Sequence, residues 1–231
     1  MKELVDKLLK DLQGKDLDQI LQLLGHTGLQ VVFSTSFGKE DQVITQAIAK
    51  IQENRIHIFT LDTGRLFEET YEVFNRTVNK YKVKIDTYYP QSVAAQKMVS
   101  EKGPYSFYDS VENRKECCFV RKMEPLKRAL KGNEIWITGL RKEQSENRAA
   151  MEMVEWDESN QLIKVHPVFY WTEKQVDAYV DIHNIPVNAL HKKGFPSIGC
   201  SPCTRATQPG EDFRAGRWWW EASKKECGLH S

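Results

Sequence analysis

The stretch 29-LQVVFSTSFGKED-41 decides the fold. Its β-branched and aromatic residues predict a short buried strand, and the Ser, Thr and Gly that follow predict a tight loop. Apolar residues then recur with helical spacing at Val43, Ile44, Ala47, Ile48 and Ile51. Hydroxyls and backbone N–H groups at the start of a helix suit a phosphate or sulfate group. The GxxxxGK(S/T) spacing of a Walker A loop is missing, so the loop alone indicates only a polar turn or an anion site.

The same alternation continues downstream of this stretch. Further strands are predicted within 55-RIHIFTLDTG-64, 83-VKIDTYY-89 and 134-EIWITGLRKEQS-145, and a helical stripe runs from Phe67 to Tyr81. Strands that alternate with helices predict an α/β fold with a parallel twisted sheet flanked by helices. The loops 34-STSFGKED-41, 61-LDTG-64 and 139-GLRKEQS-145 should therefore meet beyond the carboxyl ends of the strands, where such sheets bind ligands.

The two ends of the chain differ from this middle part. Residues 1–25 have helical spacing that breaks near Gly14, and they predict an N-terminal helical segment. Residues 26–210 form the predicted α/β domain. Residues 211–231 are predicted to be an irregular C-terminal segment with arginines and a mobile tail.

Composition excludes several classes of protein. Lys and Arg number 33 against 32 Asp and Glu, so the net charge of +1 does not favour a nucleic-acid ligand. No apolar run approaches the roughly 18 residues of a membrane span. The expected location is the cytoplasm, where thiols stay reduced, and five cysteines there indicate metal binding or catalysis before disulfides.

Four of the cysteines form two pairs. Cys117 and Cys118 are adjacent, and their Cα atoms, about 3.8 Å apart, are too close for a relaxed disulfide. Cys200 and Cys203 form a CxxC in a loop rich in Gly and Pro. Together they make a full set for one metal centre, and neighbours that diverge on a helix suit the separate irons of a 4Fe–4S cluster. Zinc and four unrelated thiols are the alternatives.

Two further features carry charge or nucleophilicity. Cys227 lies near the chain end beside Lys224 and Lys225, which favour a thiolate, so it is either a stray thiol or a nucleophile on a swinging arm. Arg214 and Arg217 are three residues apart, as on one helical face, and predict either a doubly anionic ligand or a solvated basic turn.

In this order, the motifs resemble the assimilatory adenylyl-sulfate reductases, a branch of the phosphoadenylyl-sulfate reductase family. The resemblance covers nearly the whole chain after the N-terminal helices, and it rests on the loops above together with 117-CCFVRKMEPL-126, 199-GCSPCTRA-206, 214-RAGRWWWE-221 and 226-ECGLH-230. It implies an adenine nucleotide α-hydrolase-like fold (a modified PP-loop) and one 4Fe–4S cluster per chain, held by Cys117, Cys118, Cys200 and Cys203.

The resemblance also implies an activity and its residues. Cys227 attacks the sulfur of adenylyl sulfate, AMP leaves, and thioredoxin or a glutaredoxin-like dithiol releases sulfite from the S-sulfonated cysteine. Substrate contacts are implied at Thr35, Ser36, Gly38, Asp41, Leu61, Gly64, Lys122, Arg141, Arg214 and Arg217. The implied role is sulfate assimilation toward cysteine biosynthesis, and a homo-oligomer is compatible with it.

Three alternatives stay open at this point. The first is that the enzyme also or mainly uses 3′-phosphoadenylyl sulfate, whose extra phosphate would want a cation such as Lys39 or Arg65. The second is a PP-loop enzyme that thiolates tRNA. The third is an iron–sulfur redox sensor without enzymatic activity.

Overall fold

The computed structural model describes residues 2–51, 55–144, 148 and 151–221. Within these residues the strands are β1 Val31–Ser34, β2 Ile56–Leu61, β3 Ile85–Tyr88, β4 Ile135–Ile137, β5 Val154–Asp157 and β6 Leu162–Val165. The α-helices are α1 Lys2–Leu12, α2 Leu17–Gly25, α3 Lys39–Ala49, α4 Glu68–Tyr81, α5 Ser92–Lys102, α6 Val111–Cys118, α7 Glu124–Leu130 and α8 Glu173–Ile182. None of the described helices is long and apolar enough to cross a membrane.

The strands form one sheet in the order β3-β2-β1-β4-β6-β5. Strands β1 to β4 and β6 run parallel, with Phe33 of β1 in register with Ile58 of β2 and Ile137 of β4. The chain builds outward from β1 to β3 and then returns to the other side of β1 with β4. The crevice between β1 and β4 is thus the switch point where sheets of this kind bind ligands.

One edge of the sheet departs from the prediction. Strand β5 pairs antiparallel with β6, with Val154 opposite Val165, so the sheet is mixed and not wholly parallel. The sequence analysis did not identify this hairpin. Its short strands lie on either side of a Glu-Ser-Asn-Gln turn, and a buried ion pair between Lys164 and Asp157 (2.8 Å) replaces the apolar alternation that marks a strand.

The N-terminal helices belong to the main core. Leu12 of α1 and Leu21 of α2 pack in the same apolar cluster as Phe33 and Ile137 of the sheet. Helix α2 begins with a capping box. The Asp16 side chain accepts a hydrogen bond from the Gln19 backbone N–H, and the Gln19 side chain accepts one from the Asp16 backbone N–H. The break near Gly14 therefore separates two helices of one body. The predicted boundaries at residues 25 and 210 stay predictions.

The cysteine pair lies on a helical run with an unusual geometry. Helix α6, capped by the Ser110 side chain, passes into a π-helical turn over Phe119–Met123 and then into α7. A π-helical turn is rare and recurs at functional sites, because the wider turn changes the direction of the side chains that follow it. Here that turn contains Arg121 and Lys122.

Candidate active site

A cavity of about 220 Å³ lies at the switch point of the sheet. We call it the nucleotide cavity. Three loops contribute: the β1–α3 loop with Thr35, Ser36 and Gly38, the end of β2 with Leu61, and the segment after β4 with Thr138 and Gly139. The loops that were predicted to meet do meet, because the carboxyl ends of parallel strands share one edge.

Asp41 holds the β1–α3 loop in shape. Its Oδ2 accepts from the Ser36 backbone N–H (2.6 Å) and from the Ser36 hydroxyl (2.7 Å). Burial raises the pKa of Asp41 to about 6, and the negative Glu40 adds to the rise, while the bonds from Ser36 oppose it. A Cβ on Gly139 would lie 2.2 Å from Asp41 Oδ1, so only glycine lets the β4 loop approach this closely. Asp41 is thus both a wall of the cavity and the anchor of its loop.

A polar network forms another wall. Glu40 Oε1 accepts from Arg141 Nε (2.7 Å) and from Gln144 Nε2 (2.9 Å), and both Glu40 and Gln144 line the cavity. Arg141 itself is buried behind them and is absent from the cavity lining. Its guanidinium forms ion pairs with Glu40 and with Glu143, where Nη1 donates to Oε2 (3.1 Å). The contact between Arg141 and substrate that the resemblance implied stays a prediction.

A second, smaller cavity of about 20 Å³ brings the four paired cysteines together. We call it the cysteine cavity. Its lining contains four thiols and four cations: Cys117, Cys118, Cys200, Cys203, Arg65, Arg114, Arg121 and Lys122. Arg114 and Arg121 stand three residues before and four residues after Cys117, a helical spacing from which the sequence analysis could have identified them.

Nearby cations and burial shift the pKa values of the cysteine thiols in different directions. Burial opposes ionisation of Cys200, yet Lys122, a bond from the Thr63 hydroxyl (3.3 Å) and Arg217 together hold its pKa below the usual value. Burial and the neighbouring Cys200 raise the pKa of Cys203 to about 12. Burial also raises the pKa of Cys117. Cys200 and Cys203 are therefore shifted in opposite directions although they are close neighbours, and three of the four thiols are buried while Cys118 is half-buried.

The donor set fits an anionic iron–sulfur group. Thiolates are the ligands of such clusters, and an iron–sulfur core held by four of them has a net negative charge, which the four surrounding cations can balance. In the part of the chain that the structure describes, no group of three or more His, Cys, Asp or Glu side chains is arranged to hold a metal ion. The cysteine cavity is therefore defined by the residues that line it and not by the geometry of a metal site.

The C-terminal segment packs beside the cysteine cavity, with Trp218 in the same apolar cluster as three of the cysteines. Trp218 is buried against Arg114 and Arg217, whose guanidinium carbons lie 4.9 and 5.0 Å from its ring centre. Glu221 pairs with Arg114 through two bonds of 2.9 Å. A Cβ on Gly199 would lie 2.3 Å from Arg217 Nη2, so a side chain there would displace the Arg217 guanidinium from the CxxC loop. Cation–π contacts and a buried ion pair thus fasten the chain next to the thiols.

Arg214 and Arg217 do not share a helical face, which corrects the sequence prediction. The residues at 213–216 and 218–220 form turns, and Arg217 forms an isolated antiparallel β-bridge with Thr204. As a result Arg214 lines the nucleotide cavity while Arg217 packs beside Cys200. Gly216 lies between the two arginines and weakens any helix here, and the packing of the segment sends the two side chains to different sites.

The remaining predicted residues divide between the two cavities. Lys122 lines both of them. Gly64, with φ of +68°, does not line the nucleotide cavity and lies next to Arg121, whose Nη1 donates to the Thr63 carbonyl (2.7 Å). Cys227 lies outside the described residues. The sequence analysis missed the following lining residues of the nucleotide cavity: Glu40, Thr138, Gln144, Asn188 and His191.

Lys39 and Arg65 are placed away from the nucleotide cavity. Lys39 Nζ pairs with Asp177 Oδ1 (2.7 Å) on α8. Arg65 faces the cysteine cavity and packs over the Phe107 ring at 5.0 Å. Neither side chain lines the nucleotide cavity, in contrast to the expectation that they border it.

Comparisons with known proteins agree with this geometry. The model of the phosphoadenosine phosphosulfate reductase domain matches residues 30–206. A protein of Allochromatium vinosum named adenosine 5′-phosphosulfate reductase is 52% identical over 201 residues, covering 87% of this chain and 78% of the relative. One of the same name from Agrobacterium fabrum is 48% identical, covering 95% and 84%.

Solved structures show the same fold. The phosphoadenylyl-sulfate reductase of Candida auris, solved as a phosphate complex, superposes with a TM-score of 0.78 at 28% identity, covering 89% of this chain and 98% of that one. Yeast FAD synthetase reaches 0.57 at 14% identity, a likeness of fold alone. The predicted α/β fold of the adenine nucleotide α-hydrolase type is confirmed, with the mixed edge as the exception. The chain belongs to the phosphoadenosine phosphosulfate reductase family.

Proposed function

We propose that this protein is an adenylyl-sulfate reductase of assimilatory sulfate reduction, which converts adenylyl sulfate to sulfite and AMP. The observation that carries the proposal is the junction of the two cavities. A polar loop at a sheet switch point, suited to an anion, adjoins a cavity lined by four thiols, and Lys122 lines both sites. Relatives named for this reaction, at about half identity over most of their length, support the same assignment.

The nucleotide cavity offers complementary groups for each part of the substrate. Apolar side chains at Leu61, Leu126 and Leu140 suit a purine ring, and the loop of Thr35, Ser36 and Gly38 at the start of α3 offers hydroxyl and N–H donors to a phosphate. Lys122 and Arg214 supply positive charge where the phosphate and sulfonyl groups share negative charge.

The sulfur transfer is proposed to run through Cys227. Its thiolate attacks the sulfur of adenylyl sulfate, an S–S bond forms, and the S–O bond breaks as AMP leaves with the electron pair. A dithiol of the thioredoxin or glutaredoxin type then attacks the cysteine sulfur of the S-sulfonate. Sulfite leaves with two electrons, and the mixed disulfide resolves to a free Cys227 and an oxidised dithiol. The reducing equivalents therefore come from thiols.

The cysteine cavity is proposed to hold one 4Fe–4S cluster on Cys117, Cys118, Cys200 and Cys203. When bound, such a cluster supplies fixed negative charge and cross-links the π-helical run to the CxxC loop. The chain's own part is to orient Lys122 toward the substrate from a π-helical turn between the two sites. Zinc on the same thiols is the alternative that metal analysis distinguishes.

The unphosphorylated compound is the proposed substrate. Glu40 and Asp41 place two carboxyl groups in the lining of the nucleotide cavity, and these repel an additional phosphate. Lys39 and Arg65, the two cations expected to receive that phosphate, are directed elsewhere. We propose a cytoplasmic enzyme because its chemistry needs free thiols, which the cytoplasm keeps reduced, with its oligomeric state open to measurement.

The direct test is sulfite release by anaerobically purified protein, with thioredoxin as reductant. We expect kcat/KM for adenylyl sulfate to exceed that for its 3′-phosphorylated form. Preference for the phosphorylated form would overturn the substrate assignment. No sulfite from either compound, together with a salt-sensitive shift of tRNA, would favour the thiolating enzyme; failure to bind any adenine nucleotide would favour the redox sensor.

A further inference from the structure

A buried pair of side chains stands behind one wall of the nucleotide cavity. Thr138 follows β4 and lines the cavity, and its Oγ1 lies 2.7 Å from Nδ1 of His166. Thr138 is 2% exposed and His166 is fully buried. The backbone of each is fixed, because Thr138 N–H donates to the Val165 carbonyl (3.0 Å) and His166 N–H donates to the Met153 carbonyl (2.8 Å). The imidazole therefore governs how the threonine hydroxyl is oriented.

The position of the ring proton follows from the other side of the imidazole. His166 Nε2 lies 3.4 Å from Glu155 Oε1, and an ionised carboxylate can only accept a hydrogen bond. Burial lowers the pKa of His166, with Lys164 and Arg148 acting in the same direction against Glu155, so the ring is neutral and carries one proton. That proton lies on Nε2, and Nδ1 accepts from the Thr138 hydroxyl.

We propose that His166 is a positioning residue that makes the Thr138 hydroxyl a hydrogen-bond acceptor for the bound nucleotide. The hydroxyl donates its one proton to Nδ1 of the ring, so toward the cavity it can only accept hydrogen bonds through its oxygen lone pairs. The partner must be an N–H or O–H donor, which an adenylate carries as the exocyclic amine of its base and as its ribose hydroxyls. This inference rests on the proposed function, since it names a group of the same ligand.

The test is the affinity of the intact, full-length protein for AMP and three analogues, measured by calorimetry. The analogues are purine ribonucleoside 5′-monophosphate, which lacks the exocyclic amine, and the 2′-deoxy and 3′-deoxy forms of AMP. Wild type should bind one of the three about tenfold more weakly than AMP, the usual effect of one lost hydrogen bond. The analogue that is weakened identifies the donor.

Variants then separate positioning from mere structure. Thr138→Val removes the hydroxyl at constant shape, and His166→Phe removes the acceptor; each should reduce the tenfold discrimination to about twofold or less. His166→Asn keeps an acceptor near the position of Nδ1 and should restore most of it. In turnover, His166→Phe should raise KM and leave kcat within about twofold, because the contact is expected to be equally strong in the bound ground state and in the transition state.

The outcomes are distinct for the two proposals. Discrimination by wild type that persists in both Thr138→Val and His166→Phe would overturn the role of His166 and leave the reductase standing. Equal binding of all four nucleotides by wild type would do the same. Should His166→Phe fail to fold, Thr138→Val and His166→Asn decide the matter. Wild type that binds no adenylate would overturn the proposed function as well.

Discussion

The two cavities differ in how the chain builds them. The nucleotide cavity is made by loops at the carboxyl ends of the strands. Its closest contact, between Gly139 and Asp41, joins the loops that follow the neighbouring strands β4 and β1. The cysteine cavity is assembled from helix α6 with the π-helical turn after it, the turn after β2 and the CxxC loop, which the sheet does not align. Topology organises the first. The second depends on buried thiols and cations that balance each other, so it should be the more fragile.

The largest effect is expected in the cysteine cavity. Cys203→Ser should abolish the brown colour, the bound iron and the activity, and lower the thermal midpoint, because metal ligation is coupled to folding. Iron and acid-labile sulfide analysis of anaerobic protein checks this, with about four of each expected in wild type. Cys227→Ser is the control and should keep both colour and iron. A colourless, active wild type with one zinc would contradict the cluster.

Lys122 tests the connection between the cavities. Lys122→Ala should lower kcat/KM about 100- to 1,000-fold, the usual effect of losing one electrostatic contact to a developing charge. The matched control is Lys127→Ala, an exposed lysine on α7, which should change the rate less than twofold. Stopped assays of sulfite release give both values. Similar effects of the two substitutions would remove Lys122 from the substrate site.

Asp41 gives the nucleotide cavity a pH signature of its own. Its folded pKa of about 6 lies above the ordinary value of 3.8, so between these values the folded protein holds more protons than the unfolded chain. The Asp41 contribution to the free energy of unfolding therefore falls as pH rises through this window, by about 3 kcal/mol in total. Urea unfolding of wild type and Asp41→Asn at pH 4.5 and 7.5 isolates this contribution. Parallel pH profiles for the two proteins would show that Asp41 is not perturbed.

The smallest effect is expected at Lys39. Its ion pair with Asp177 is partly exposed, and such pairs contribute about 1 kcal/mol or less. Lys39→Ala should therefore leave the ratio of kcat/KM for the two adenylyl sulfates unchanged within about twofold. A selective loss with the 3′-phosphorylated compound would bring Lys39 back to the nucleotide cavity.

Much of the nucleotide cavity could be predicted from the sequence, since strands and loops leave local patterns. The stretch from Leu29 to Asp41 is enough to predict a strand, a loop and a helix, and parallel topology then brings the loop to Leu61 and Gly139. Residues such as Asn188 and His191 carry no such signal, because only long-range packing brings them to the cavity.

The sequence allowed only the four cysteines of the cysteine cavity to be predicted. The spacing of the four cysteines indicated one site, but the separate destinations of Arg214 and Arg217 follow from turns that no periodicity marks. The burial of Arg141 behind Glu40 is likewise a result of packing across 101 residues of chain. Ion pairs between residues so far apart in the sequence form only in the folded structure and leave no local sequence pattern.

The central claim is the division of labour between the cysteine cavity, which organises the site, and the thiol of Cys227, which performs the transfer. One measurement tests it most directly: incubation of wild type with adenylyl sulfate and no reductant, followed by peptide mass spectrometry. The account predicts one SO₃ group per chain on the peptide that contains Cys227. The same group on Cys200 or Cys203 would contradict it.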